Sequence, residues 1–206
     1  MLLQKTSNLF SNWLSDKNII FNKVTAEKVL YLTFDDGPSP EITPFIIENL
    51  KIFKAEATFF CVGDNIKKYP ESFNKLIEAG HKIGNHTYNH LNGWKTEQNK
   101  YIYNIELFNK EYQTNIFRPP YGKITLKQLN IVRTNYKIIF WSILSYDFDK
   151  TVSREKCLSK VITQSKKGSI IVFHDNQKAE SNLYYSLPRT LEFFSEKGFT
   201  FKKLDF

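Results

Sequence analysis

The sequence contains little of what builds disulfide-linked, fibrous or membrane-spanning proteins. Its 206 residues include 2 cysteines, 8 glycines and 7 prolines, and no apolar run reaches the roughly 20 residues that a transmembrane helix requires. Collagen-like, disordered and polytopic membrane proteins are therefore excluded. With 41% hydrophobic and 16% aromatic residues, the chain can fill one sizeable core, which predicts a single globular domain.

The two cysteines, Cys61 and Cys157, are far apart and form neither a C-x-x-C pair nor a zinc-finger spacing. Neither a disulfide framework nor a redox motif is therefore expected. Cys61 lies in the apolar run 57–62, where a buried free thiol behaves as a small hydrophobic side chain. Both cysteines are predicted to be structural.

Residues 1–28 precede the regular pattern and are predicted to form an extension that packs on a domain formed by residues 29–206. Leu3, Phe10, Trp13 and Leu14 have roughly helical spacing, which favours a strap over the fold and leaves a weak interfacial helix as an alternative. Polar residues interrupt this segment, so neither a signal peptide nor a transmembrane segment is predicted. A cytoplasmic monomer is the default expectation, with an extracytoplasmic location left open.

The net charge of +8 comes from 29 Lys and Arg residues against 21 Asp and Glu residues. This excess favours an anionic partner, such as nucleic acid, a membrane surface or an acidic polysaccharide. No RRM, KH or helix-turn-helix signature occurs, so nucleic acid is not the expected partner.

From residue 29 onward, short β-rich runs alternate with longer helical stretches, which predicts a parallel α/β sheet or barrel. Helices are predicted to start at Pro70 and after Ser153, and to stop at Gly80 and Gly168. The strand candidates are residues 29–34, 57–62, 82–85, 116–118, 137–144, 170–174 and 200–204.

Ionisable residues follow five of these runs, at the strand ends that build active sites in α/β folds. They are Asp35 and Asp36, His86 and His90, Arg118, Asp147, and His174. His86 and His90 are four positions apart, so one helical turn would place both imidazoles on the same side, where they can grip one cation. A carboxylate from another strand end would complete an open site of two His and one Asp.

Asp35 and Asp36 are adjacent, and consecutive side chains of an extended chain point to opposite sides. One carboxylate is therefore expected to bind a metal while the other faces a different target. This division suits hydrolysis, in which a metal activates a water and a free carboxylate removes the proton of that water. The competing interpretation of Asp-Asp-Gly-Pro alone is an ordinary turn.

The complete strings resemble the motifs of the polysaccharide deacetylases, also called carbohydrate esterase family 4 or the NodB-homology domain. Residues 31–38, Tyr-Leu-Thr-Phe-Asp-Asp-Gly-Pro, are similar to the first motif, and residues 86–90, His-Thr-Tyr-Asn-His, match the metal motif H-[ST]-x-x-H. Residues 118–122, 141–148 and 170–175 resemble the third, fourth and fifth motifs, in family order. The resemblance implies a distorted (β/α) barrel of about seven parallel strands.

The resemblance also implies a role for each matching residue. Asp36, His86 and His90 would bind the metal, most simply zinc, with cobalt or nickel also compatible with this donor set. Asp35 would be the general base, held in place and ionised by Arg118. His174 would be the general acid, with Asp147 raising its basicity. The backbone N–H of Tyr121, after Pro120, would stabilise the oxyanion, and Phe148 and Val172 would line the pocket for sugar and acetyl methyl.

Three positions depart from the family pattern. Ser142 and Phe148 occupy positions where the family commonly has Asp and Trp, and Val172 replaces the usual Leu or Ile. Phe148 retains an aromatic face but lacks the indole N–H donor, and Val172 slightly enlarges the acetyl pocket. These changes concern substrate fit, because no proposed catalytic group is missing.

The sequence therefore predicts a metal-dependent hydrolase that removes acetyl groups from N-acetylated amino sugars, with an N-acetylated glycan as the substrate. One alternative is a family relative that acts on another carbon–nitrogen bond, in a lipid-linked sugar or a small cyclic amide. The other is a carbohydrate-binding or nucleic-acid-binding module without turnover.

Overall fold

The structure is a computed structural model that describes residues 16–206. Leu3, Phe10, Trp13 and Leu14, for which a helical strap or an interfacial helix is expected, lie outside the described residues. Within residues 16–28, Ile19–Ile20 form a strand whose register pairs them with Ile138 and Ile139. This part of the predicted extension is thus joined to the sheet by backbone hydrogen bonds.

The sheet runs through the centre of the described chain, and each pair of neighbouring strands in it is parallel. Its spatial order is β1-β6-β5-β4-β3-β2-β8-β7, and β9 pairs with β2 outside this path. The strands are β1 (Ile19–Ile20), β2 (Val29–Asp35), β3 (Thr58–Cys61), β4 (Lys82–Asn85), β5 (Ile116–Phe117), β6 (Lys137–Ile139), β7 (Ile143–Leu144), β8 (Ile170–His174) and β9 (Thr200–Phe201).

Strand β2 forms the middle of the core. All seven of its residues are buried, because β3 and β8 flank it and helices cover the sheet. A parallel strand buried on both faces has a nearly continuous apolar sequence, as Val-Leu-Tyr-Leu-Thr-Phe does. The arrangement confirms the predicted distorted (β/α) barrel, with nine strands in the described residues in place of about seven.

The predicted strand over residues 137–144 is wrong as a single element. Residues of β6 pair with β5 and β1, whereas β7 pairs with β8 at the opposite end of the strand order. At the end of β6, the carbonyls of Ile139 and Phe140 accept hydrogen bonds from the guanidinium of Arg118, at 3.0 and 3.1 Å. A buried side chain thus binds this backbone as the chain passes from one edge of the open barrel to the other.

The helices pack outside the sheet, and the largest apolar cluster lies between them and strands β2, β3 and β8. Cys61 and Cys157 are buried free thiols in this cluster, as predicted. The helices are α1 (Ile42–Ile52), α2 (Gly63–Lys68), α3 (Pro70–Glu78), α4 (Gln98–Phe108), α5 (Leu126–Val132), α6 (Arg154–Gln164) and α7 (Glu180–Glu196).

The sequence signals for the helix starts are confirmed. Pro70 begins α3, where its missing N–H costs no intrahelical bond, and Gly80 follows α3 with a φ of 76°. The hydroxyl of Ser153 accepts from the N–H of Lys156 and caps α6. That helix ends at Gln164, one turn before the predicted stop at Gly168. Among the described helices, none is both long and apolar enough to cross a bilayer.

Candidate active site

The predicted site residues come together in one cleft at the carboxyl ends of the strands. The cleft has a volume of about 740 Å³. Of the predicted residues, those that line it are Asp35, Asp36, His86, His90, Tyr121, Phe148, Val172 and His174. Arg118 and Asp147 are buried behind this lining, where they contact Asp35 and His174. Pro120 is also buried and does not line the cleft.

Asp36, His86 and His90 form the one cluster in the described residues that could hold a metal ion. One ligand atom from each lies within 4.8 Å of the other two. The Oδ1 atom of Asp36 is 3.0 Å from Nε2 of His90 and 3.5 Å from Nε2 of His86. Two imidazole nitrogens and one carboxylate oxygen fit a divalent transition metal and leave coordination positions open for water and substrate.

The tautomer of His86 is fixed by the backbone. Its Nδ1 lies 2.8 Å from the carbonyl oxygen of Arg118, so Nδ1–H donates to that carbonyl. The lone pair of Nε2 therefore faces Asp36 and is available to a cation. Burial opposes ionisation of Asp36, but its interactions with the neighbouring histidines outweigh this and hold the pKa of Asp36 well below its ordinary value. Asp36 is an anion at neutral pH.

His86 and His90 lie in a loop, so the prediction that one helical turn brings them together is wrong. Residues after β4 form irregular backbone, and Thr87 and His90 have positive φ values of 61° and 55°. The side chain of Asn104 supports this loop by accepting hydrogen bonds from the N–H groups of Tyr88 and Asn89. Non-glycine residues with such backbone angles are uncommon and cluster at functional sites.

Asp35 and Asp36 do not face opposite sides as the extended-strand argument predicts. Asp35 is the last residue of β2, and Asp36 leaves the strand with a φ of 82°. This turn brings both carboxylates near the same imidazole, with Oδ2 of Asp35 4.0 Å from Nε2 of His86. The base candidate therefore lies beside the metal cluster.

Asp35 is paired with a guanidinium that is entirely buried. Nη1 of Arg118 donates to Oδ1 of Asp35 at 2.6 Å and to the hydroxyl of Thr33 at 2.8 Å. The guanidinium also lies 4.1 Å from the ring centroid of Phe60. Burial lowers the pKa of Arg118, while the charge and hydrogen bond of Asp35 act in the opposite direction. Oδ1 of Asp35 is thus bound to Arg118, while Oδ2 is not and remains available on the side of the cleft.

His174 forms a second charge pair on the other side of the cleft. Its Nδ1 lies 2.7 Å from Oδ1 of Asp147, and its backbone N–H donates to Oδ2 of the same carboxylate at 2.7 Å. Burial disfavours the imidazolium, but Asp147 outweighs it, and the pKa of His174 rises to about 9. Nδ1–H is thus bound to Asp147, and Nε2 is left to exchange a proton.

Tyr121 lies in a tight turn between the cleft and solvent. Pro119 and Pro120 have no N–H, so the first backbone donor after Arg118 is that of Tyr121. Tyr121 has a φ of 61°, a left-handed conformation that costs a non-glycine residue about 1 kcal/mol or more. Its ring packs 4.6 Å from that of His90. The turn therefore places Tyr121 next to the metal cluster.

Asn176 is a site residue that the motif reasoning missed. Its Nδ2 donates to Oδ2 of Asp36 at 2.5 Å, while its Oδ1 accepts from the N–H of Ala179 at 3.1 Å. The amide therefore restrains the carboxylate oxygen that faces away from the histidines. Its position two residues after His174 is the only sequence signal for this role. The other missed lining residues are Val62, Asn65, Lys123, Trp141, Leu144, Gln177 and Lys178.

Comparison with known proteins gives consistent matches. The family model described as "Polysaccharide deacetylase" matches residues 22–136. A peptidoglycan-N-acetylglucosamine deacetylase of Bacillus cereus is 36% identical over 170 residues, which cover 79% of this chain and 62% of that relative. Another of the same name and organism is 31% identical, with 85% of each chain covered. A chitooligosaccharide deacetylase of Azorhizobium caulinodans is 33% identical, with coverages of 71% and 73%.

Solved structures have the same fold. The crystal structure of the Bc1960 peptidoglycan N-acetylglucosamine deacetylase, in complex with 4-naphthalen-1-yl-N-oxidanyl-benzamide, superposes with a TM-score of 0.87 and 33% identity over 94% of both chains. A pseudoenzyme of carbohydrate esterase family 4 from Bacillus anthracis superposes with a TM-score of 0.80 at 21% identity, covering 90% and 67% of the two chains, and shows the fold alone. From the matched family model and relatives, this chain belongs to the polysaccharide deacetylase family.

Proposed function

We propose that this chain is a metal-dependent deacetylase that hydrolyses the acetamide of an N-acetylated amino sugar within a glycan, releasing acetate and leaving a free amine. The observation that carries the proposal is the placement of three groups in one cleft. They are the cluster of Asp36 with its two histidines, the Asp35–Arg118 pair and the His174–Asp147 pair. The names of the relatives, which act on peptidoglycan and chitooligosaccharides, support the same substrate class.

Asp36, His86 and His90 would hold a divalent cation, with zinc as the first choice and cobalt or nickel as compatible ions. Such a cation, when bound, lowers the pKa of a water molecule and polarises the acetamide carbonyl. The residues that surround the cluster would then handle the protons and position the substrate.

Asp35 would act as the general base. Its free oxygen lies 4.0 Å from His86, beside the open side of the cluster, where it can accept a proton from the attacking water. Arg118 would hold the carboxylate in that direction, because its Nη1 donates to Oδ1 of Asp35 at 2.6 Å and leaves Oδ2 for the water.

The remaining groups would complete the reaction. The oxygen of the water forms a bond to the acetyl carbon, and the N–H of Tyr121 would donate to the carbonyl oxygen as it becomes negative. The bond between carbon and nitrogen then breaks, and His174 would give the leaving nitrogen a proton from Nε2. Asp147 keeps His174 protonated before this step, consistent with its pKa of about 9.

The sugar and the acetyl methyl would fit the apolar side of the cleft. Val172 lies on β8 beside the two charge pairs and would receive the methyl group. Phe148 is 36% exposed and packs edge-on to His174, with ring centroids 4.7 Å apart. Its exposed face would stack on a sugar ring, as aromatic faces do with apolar surfaces.

The proposal is tested by acetate release from a panel of substrates, with and without a chelator. The panel contains chitotetraose, solubilised peptidoglycan, a lipid-linked N-acetylated sugar and a small cyclic amide. Release of acetate from a glycan that stops with chelator and returns with zinc supports the proposal. Turnover of only the cyclic amide would show that the chain hydrolyses a different carbon–nitrogen bond. Glycan binding without any turnover would show that it is a binding protein.

A further inference from the structure

Two lysines line the same cleft as the metal cluster. Lys123 follows the Pro120–Gly122 turn that carries Tyr121, and Lys178 lies in the turn before α7, four residues after His174. Lys123 is therefore in the same segment as the proposed oxyanion donor Tyr121. Lys178 is in the same segment as the proposed general acid His174. Outside the metal cluster and the two charge pairs, the remaining lining residues are aromatic, apolar or uncharged polar side chains.

Neither lysine is neutralised by a carboxylate in the part of the chain that the structure describes. The lysines that form ion pairs there are Lys202 with Glu27 and Lys203 with Glu56, both outside the cleft. The two carboxylates that line the cleft are already engaged, because Asp35 binds Arg118 and Asp36 contacts the histidines. Within residues 16–206, the cleft thus has two lysines without a carboxylate partner.

Lys123 is held in position by an aromatic side chain. Its Nζ lies 5.3 Å from the ring centroid of Trp94, which is 65% exposed. The indole N–H of Trp94 donates to the carbonyl of Ile124 at 3.2 Å, and the N–H of Gly93 donates to the carbonyl of Lys123 at 3.1 Å. A cation placed over an aromatic face keeps part of its charge available to an anion.

From this placement we propose that the cleft selects N-acetylated glycans that carry a carboxylate near the hydrolysed acetamide, and that Lys123 and Lys178 recognise this carboxylate. The inference rests on the proposed deacetylase function and narrows its substrate class to acidic glycans. Exposed ion pairs contribute modestly, so the two lysines together are expected to change kcat/KM by about three- to ten-fold. Most of this change is expected in KM, because the carboxylate takes no part in the reaction.

The test compares two substrates that differ in the charge of their lactyl groups. A tetrasaccharide of alternating N-acetylglucosamine and N-acetylmuramic acid is used with its lactyl groups as free acids, and again after their conversion to methyl amides. Acetate release by the zinc-loaded protein gives kcat/KM for each form. The variants are Lys123→Gln, Lys178→Gln and the double substitution, with Lys123→Arg and Lys178→Arg as charge-preserving partners. Lys51→Gln, on the exposed face of α1, is the matched control for loss of one positive charge.

For the wild-type protein we expect the acid form to be preferred over the amide form. The double Lys→Gln variant should lower the acid-to-amide ratio of kcat/KM about three- to ten-fold, mainly through KM on the acid. The Arg variants and Lys51→Gln should keep the wild-type ratio. Rising salt should reduce the preference of the wild type and leave that of the double variant unchanged. Equal use of both forms by the wild type, or an equal loss on both forms in the double variant, would overturn the proposal.

Failure of the deacetylase function itself gives a different result. In that case the wild type releases no acetate from either form or from chitotetraose. The binding of the acid and amide tetrasaccharides is then measured by calorimetry with the same variants. Tighter binding of the acid that depends on both lysines would support the recognition site without the reaction, and equal binding would refute it.

Discussion

Nη1 of Arg118 lies 2.6 Å from Oδ1 of Asp35, and both side chains are buried in the centre of the barrel. The guanidinium comes from the end of β5 and the carboxylate from the end of β2, two strands that are not neighbours in the sheet. Arg118 reaches across the barrel interior and also binds the carbonyls of Ile139 and Phe140. One side chain thus connects the base candidate to the segment that crosses between the barrel edges.

The first prediction concerns Asp35→Asn, which keeps the shape of the side chain and removes its charge. Acetate release should fall by about 100- to 10,000-fold, because general base catalysis is lost. Zinc content should remain that of the wild type, since Asp36, His86 and His90 are unchanged. Activity and metal content by mass spectrometry are measured on the same sample, and retained activity would remove Asp35 as the base.

The same variant leaves Arg118 buried without its partner. Loss of one member of a buried pair costs about 3–5 kcal/mol, so the free energy of unfolding should fall clearly in denaturant titration. Glu56→Gln is the control, because it also removes one negative charge and breaks only the partly exposed contact with Lys203. That change should cost no more than about 1 kcal/mol.

Asp36→Ala should abolish stoichiometric zinc binding. Asp36 supplies the carboxylate oxygen that is nearest to both histidine Nε2 atoms, so its loss leaves two neutral ligands. Zinc affinity is measured by competition with a chromogenic chelator. Wild-type affinity in this variant would show that the cation lies elsewhere.

Asn176→Leu tests the support of the metal ligand. Leucine has nearly the shape of asparagine but cannot donate to Oδ2 of Asp36, so zinc affinity should fall about 10- to 100-fold. Asn130→Leu, at an exposed position of α5, is the control and should leave zinc affinity unchanged. An unchanged zinc affinity in Asn176→Leu would show that Asn176 does not support the metal ligand Asp36 and serves only to cap the turn at Ala179.

Asp147→Asn should move the basic limb of the activity profile to lower pH. If His174 is the general acid, the wild type requires its protonated form and should lose activity as pH rises through the His174 pKa of about 9. The negative charge of Asp36 also raises the pKa of His174, and a bound cation next to Asp36 would oppose this effect. The basic limb of the metal-loaded protein should therefore lie below pH 9. Without the charge of Asp147, burial dominates, and the limb should shift by about two pH units toward acid. A profile of kcat/KM against pH measures the shift, and an unmoved limb would exclude His174 as the acid.

His81 gives a prediction about stability. Burial lowers the pKa of His81 to about 4, its Nδ1 accepts from the N–H of Ala57, and its buried Nε2 has no partner among the described residues. Between pH 6.5 and 4 the unfolded chain binds a proton at His81 that the folded chain does not. The free energy of unfolding therefore falls by roughly 1 kcal/mol for each unit by which the pH decreases. His81→Asn keeps an acceptor for Ala57 and does not titrate. Its free energy of unfolding should therefore depend less on pH in this range, and an equal slope would contradict the assignment.

The sequence determined the secondary structure where local signals were strong. The bounds of β4 and β8 agree with their apolar runs, and Pro70 and Ser153 mark the starts of α3 and α6. It also determined which residues are candidates for chemistry, because ionisable groups at strand ends are unusual and five ordered motifs resemble one family. The fold class followed from the alternation of strands and helices, and from the same motifs.

Tertiary structure decided how these groups meet. The run 137–144 is one apolar segment in the sequence, yet β6 pairs with β1 and β5 whereas β7 pairs with β8. The buried Arg118 binds the carbonyls of Ile139 and Phe140, where β6 ends. The loop that brings the two histidines together contains residues with positive φ, and so does the turn that brings Asp36 beside Asp35. Neither periodicity nor strand alternation predicts such angles. Asn176, Lys123 and Lys178 are site residues because long-range packing places their turns around the cleft. Contacts between residues far apart in the chain cannot be predicted from local sequence.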